Sequence, residues 1–187
     1  MLACSVTLTV GVVFYRNEIM GALYREATAY SGLVLANLMV SFVAVSCTYI
    51  YGALLNANGS LMKMNRIFIV AILMNIGLNV WLIPTHKAWG ATVSTCLTQF
   101  FVAGAQIFLA KKELGLATDG GWALRLLGYV AVVALLGYEV SAIHYSLGWV
   151  FGFGLCLMSG AVLTLVFGLV QWRSIWFYVQ KGLKKEV

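Results

Sequence analysis

Apolar residues run through this chain in long unbroken stretches, interrupted by short polar intervals. Continuous runs of this length lack the two-residue alternation of a membrane β-barrel strand and predict helices. Six are expected: Met1 to about Phe14, Ser31 to about Leu55, about Ile67 to Pro84, a run after Gly90 reaching about Ala110, Trp122 to Ile143, and Leu147 to Gln171. The third and fourth form the centre of the pattern. Asn75-Ile76-Gly77-Leu78-Asn79 leads through Leu82-Ile83-Pro84, the only proline, into Thr85-His86-Lys87-Ala88-Trp89-Gly90. Proline lacks a backbone donor and clashes within a helix, so Pro84 is expected to end the third helix. Small Gly90 and Ala91 let the next helix return close by. The result is a tight helical hairpin, with Asn75 and Asn79 four apart on one face.

The polar intervals are expected at Tyr15 to Tyr30, at Asn56-Ala57-Asn58-Gly59, where Asn-Gly supplies a left-handed helix end, at Lys111 to Gly121, and at the brief turn His144-Tyr145-Ser146. The first apolar run is shorter than the roughly 17–25 residues of a spanning helix. It has no basic residues before it, unlike a signal peptide. A chain starting inside a helix reads as the C-terminal part of a longer protein.

Composition decides the solvent. Hydrophobic residues make up 62% of the 187, charged residues 10%, and mean hydropathy is +0.93. A soluble domain is about half apolar and a quarter charged, so the chain is an all-α, polytopic integral membrane bundle. It reads as one six-helix lobe over residues 1–171 with a basic, aromatic tail over 172–187.

The net charge of +6 changes the picture only in orientation. Lys63, Arg66, Lys111, Lys112, Arg125, Arg173, Lys181, Lys184 and Lys185 fall on one side of the alternating helices; Arg16, Arg25 and Lys87 fall on the other. The positive-inside rule puts the first set, and the C-terminus, in the cytoplasm. No nucleic-acid partner is needed to explain these charges. Trp81, Trp89 and Trp149 near outer ends, and Trp122, Trp172 and Trp176 near inner ends, fit headgroup-level anchoring. Cys4, Cys47, Cys96 and Cys156 lie in four separate apolar runs without metal-ligand spacing. They read as small buried apolar residues; no metal or cofactor is expected.

Leu55-Asn56-Ala57-Asn58-Gly59, Asn75-Ile76-Gly77-Leu78-Asn79, Leu82-Ile83-Pro84 and Gly90-Ala91-Thr92 together resemble the C-terminal half of polysaccharide-export flippases. These are Wzx-type translocases of the multidrug/oligosaccharidyl-lipid/polysaccharide superfamily. The resemblance covers about forty residues. It departs from the family pattern at Lys87, where a glycine is usual, and at Thr92, where a second alanine is usual. It implies one lobe of a two-lobe transporter in a bacterial inner membrane, partnered by an N-terminal lobe. It also implies a lipid-linked oligosaccharide substrate carried from the inner to the outer leaflet on undecaprenyl diphosphate. The alternative is a multidrug efflux transporter of the same superfamily, which would need coupling carboxylates deep in a lobe.

The polar residues admit two readings each. Asn75 and Asn79 serve as interhelical glue or face the sugar path, as do Thr95, Thr98, Gln99 and Gln106. Arg16 and Arg25 grip a lipid diphosphate or are neutralised by Glu18 and Glu26. Glu139, the one carboxylate inside an expected span, couples ions or reaches outer water. Gly148 and Gly152 match a close-packing motif. No convergent acid, base or nucleophile set points to an enzyme. The candidate substrate-binding residues are therefore Arg16, Arg25, Asn75, Asn79 and Gln99.

Overall fold

The computed structural model describes residues 1–115 and 120–168. Among these the protein is helical and has no strands. The elements are α1 (Leu2–Phe14), α2 (Arg16–Leu23), α3 (Ala29–Ala57), α4 (Leu61–Leu114), α5 (Gly120–Leu147) and α6 (Trp149–Val166). Four of them, α3 to α6, are long and apolar enough to cross a membrane. Large apolar side chains such as Ile69, Ile72, Leu73, Ile76, Val80 and Trp81 point outward. Water would penalise that surface and a lipid would not, so the chain is membrane-embedded. The expected tail over 172–187 lies outside the described residues, as does Gln171, where the sixth helix was expected to end; α6 itself ends at Val166, followed by Gly168 with φ 62°.

The chain divides into two compact units, Met1–Asp119 and Gly120–Val187. In the first, α1 and α2 pack on α3, and α3 packs on α4. The interval Tyr15 to Tyr30 is not wholly irregular: Arg16–Leu23 is helical, with Glu18 in its first turn, where a negative charge suits the helix dipole. Thr28 begins α3 with a capping box, its hydroxyl accepting from the Ser31 N–H at 3.3 Å while the Ser31 hydroxyl oxygen accepts from the Thr28 N–H at 3.1 Å. These bonds satisfy donors that a helix start leaves unpaired. The far end closes at Gly59 (φ 75°), whereas Asn58 stays right-handed.

The central hairpin is present, but its break is not at Pro84. Helical structure runs through that residue to a single non-helical position, Lys87 (φ 51°, ψ −129°). Proline deletes only its own N–H, one bond in the last turn of an arm that is about to end, so the helix survives it. The two arms, 61–86 and 88–114, are each about 40 Å long at 1.5 Å per residue, enough to cross a ~30 Å hydrocarbon core. Their ends meet at the fully buried Leu55 and Ala110 with Met64. Lys63 Nζ lies 2.7 Å from Glu113 Oε1, tying the start of one arm to the end of the other.

In the second unit, α5 continues through His144-Tyr145-Ser146, where a turn was expected. These residues are compatible with helix, and the break falls instead at Gly148 (φ 81°), a conformation that favours glycine. Gly148 is therefore the hinge rather than half of a packing motif. The buried face of α6 is Gly152, Cys156, Gly160 and Thr164, spaced at every fourth residue so that they share one side. On α5, Tyr129 is fully buried; its hydroxyl donates to the Gly160 carbonyl at 3.2 Å, and its ring meets Phe167 edge-on at 6.0 Å. Cys156 is buried as expected, but Cys4 is exposed and Cys47 and Cys96 are only half-buried. Glu139 is exposed.

Candidate functional site: a polar seam and groove in the central hairpin

A polar seam joins the two arms of α4. The Asn75 side-chain N–H donates to Thr98 Oγ1 at 3.3 Å, and that of Asn79 to Asn75 Oδ1 at 2.9 Å. The Ser94 hydroxyl donates to Asn79 Oδ1, and that of Thr98 to the Ser94 carbonyl at 2.8 Å. The partners step by four residues in opposite directions, 75 with 98 and 79 with 94. Antiparallel arms that turn at 86–87 require this register. In an apolar solvent, amides of this kind must find partners. Their pairing aligns the arms at about 0.6–2 kcal/mol per bond.

The turn itself is held from α3. The Tyr30 hydroxyl donates to the His86 carbonyl at 3.0 Å and accepts from the Trp89 N–H at 2.9 Å. These are the two backbone groups that a four-residue turn over 86–89 would pair with each other. One turn along, the Asn37 side-chain N–H donates to Thr92 Oγ1 at 3.0 Å, and the Thr92 hydroxyl donates to the Trp89 carbonyl at 2.9 Å. Tyr30 and Asn37 thus dock α3 onto the returning arm. Neither was singled out in the sequence, since their partners lie 55 to 59 residues away. Tyr30→Phe is expected to lower stability by about 1 kcal/mol, the net value of a typical hydrogen bond. Thermal unfolding in micelles would measure it, with an unchanged midpoint counting against the clamp.

A groove of about 510 Å³ lies between α3 and the hairpin. Its polar lining is Thr48, Asn75, Thr95, Thr98 and Gln99; Phe68, Ile72, Ile76 and Val102 supply apolar walls. No titratable side chain lines it. Gln99 is half-buried there and its side chain makes no hydrogen bond among the described residues, so its amide is available to a ligand. Asn75 and Asn79 are largely committed to the seam, each keeping one free N–H.

The five candidate residues therefore separate. Asn75 and Gln99 both line the groove and Asn79 supports Asn75, whereas Arg16 and Arg25 do not line it. Arg16 is half-buried on α2, its aliphatic stem close enough to Gly32 of α3 that an added Cβ there would stand 3.3 Å from Cγ. Arg25 is exposed in the turn after α2. Among the described residues no group of three or more His, Cys, Asp or Glu could hold a metal ion.

No protein-family model, curated protein or solved structure matches the chain.

Proposed function

We propose that the chain is one lobe of a flippase for lipid-linked oligosaccharides, and that the grooved face of its first unit lines the path of the glycan. The observation that carries this reading is the groove's chemistry. Hydroxyls and amides lie inside an apolar bundle with no titratable group among them. Sugar hydroxyls need donors and acceptors but no counter-charge, and the side-chain amide of Gln99 offers one of each kind. A cation-coupled efflux lobe would instead place a carboxylate there. The reading makes the protein a transporter rather than an enzyme. It sits in a bacterial inner membrane with the C-terminus and the more basic side in the cytoplasm, as the distribution of Lys and Arg favours.

A second lobe of the same kind completes the path. Arg16 and Arg25 serve the diphosphate, where the planar guanidinium grips two oxygens at once. The exposure of Arg25 and the partial exposure of Arg16 leave their head groups within reach of a lipid head.

The test is native mass spectrometry of the chain purified from bacteria that assemble a glycan on undecaprenyl diphosphate. The expected result is a mass adduct equal to the lipid-linked glycan, lost when Thr95→Val and Gln99→Leu are combined. Adducts of ordinary phospholipids alone would contradict the proposal.

A further inference from the structure

A second cavity, of about 380 Å³, lies nearer the connection between α3 and α4 and shares Thr48 and Phe68 with the groove. Gln106, on the returning arm of α4, forms part of its wall and is fully buried, yet neither its Nε2 nor its Oε1 has a hydrogen-bond partner. The residue faces Gly52 of α3, where an added Cβ would stand 3.4 Å from Oε1. An amide held this way in a membrane interior loses its hydration without replacement, a state that native proteins rarely leave unrelieved. Two more amides, Asn56 and Asn65, line the same cavity from its exposed rim and make no side-chain hydrogen bonds among the described residues. Tyr49 and Phe68 supply aromatic rings, and no charged side chain belongs to the lining. The nearby Lys63 and Glu113 neutralise each other at 2.7 Å.

We infer that this cavity is a binding site for a neutral, hydroxyl-bearing ring, the size and chemistry of a single sugar unit, with Gln106 as its buried hydrogen-bonding anchor. An amide presents a donor and an acceptor side by side, which matches neighbouring hydroxyls. Three amides and two rings offer a polar edge and an apolar face together, as a sugar ring does. A phosphate would find no cation here, and a cation no carboxylate. An acyl chain would leave Gln106 unpaired. A lone water needs only ~10–15 Å³, whereas ligand pockets run about 300–1,000 Å³. The inference rests on the cavity and not on the transport reading.

The experiment uses the full chain in sugar-free zwitterionic micelles, with its four cysteines replaced and Ala53→Cys introduced as a reporter on the cavity wall. Labelling by a neutral maleimide is followed with glucose, N-acetylglucosamine, octyl glucoside or glucuronate present. Glucose or N-acetylglucosamine is expected to slow labelling about tenfold at about ten times its dissociation constant. Glucuronate is expected to have no effect, and a reporter at the exposed position 158 of α6, Met158→Cys, should be indifferent to all four. Protection by octyl glucoside alone would assign the same site to the sugar of a lipid rather than to a free sugar. Gln106→Leu and, at the exposed rim, Asn65→Leu should each abolish protection.

No protection by any neutral sugar, equal protection by glucuronate, or undiminished protection in both variants would overturn the inference. Absent protection with an intact lipid-linked glycan adduct would overturn the cavity site alone. Protection without that adduct would overturn the transport reading alone.

Discussion

Gly90→Ala is expected to destabilise the hairpin by about 3 kcal/mol, the upper end of the usual cost of overpacking. The arms pass close together where Gly90 faces the backbone of Leu82 and Ile83 near the end of the first one. A Cβ at residue 90 would overlap the Leu82 carbonyl oxygen and stand 2.7 Å from its carbon and 3.1 Å from Ile83 N. These are backbone atoms, so no side-chain rotation relieves the clash. Either the arms separate, breaking the Asn79–Ser94 and Asn75–Thr98 bonds, or the turn deforms and leaves the Tyr30 hydroxyl without its partners. Thermal unfolding of the purified variant in micelles would show a lowered midpoint. Cysteine cross-linking across the arms at residues 75 and 98 would report the loss of register. A wild-type midpoint with efficient cross-linking would show that the approach is looser than described.

Lys87→Gly is expected to act in the opposite direction, stabilising the chain by about 1 kcal/mol. Among the described residues Lys87 is the sole non-glycine with positive φ, at φ 51° and ψ −129°. These angles lie near the first central position of a type II′ turn, at about 60° and −120°, which favours glycine. Holding an L-residue there costs on the order of 1–3 kcal/mol, which glycine recovers less its own greater entropy loss on folding. Lys87 is exposed, so little packing is lost with its side chain. A stability no higher than wild type would mean that the Lys87 head group makes up the strain at the membrane surface.

The hairpin was legible because apolar length, one proline and two asparagines four apart each carry a local physical meaning. Its exact turn was not, because the proline signal is stronger than that of a lysine forced into a glycine conformation. The seam was half legible: Asn75 and Asn79 stood out as polar in an apolar run, and they spend most of their bonding capacity on joining the arms. Tyr30 and Asn37 could not be found from local pattern, since a clamp on a turn more than fifty residues away depends on how α3 docks. The end of α5 was misplaced for a related reason, as a polar triplet tolerates helix and Gly148 is what breaks it. The charges of Arg16 and Arg25 were legible, but their position outside the groove follows from the packing of α2 on α3.

The central claim, that the grooved face carries a glycan, is most directly tested by surface glycan on cells lacking their own O-antigen flippase. In this measurement the chain is expressed together with the first lobe of a polysaccharide flippase. The account predicts restored surface glycan, reduced about tenfold or more, equivalent to at least about 1.4 kcal/mol, when Thr95→Val and Gln99→Leu are combined at matched membrane levels. Full export by that double variant, with the groove's polar lining removed, would contradict it.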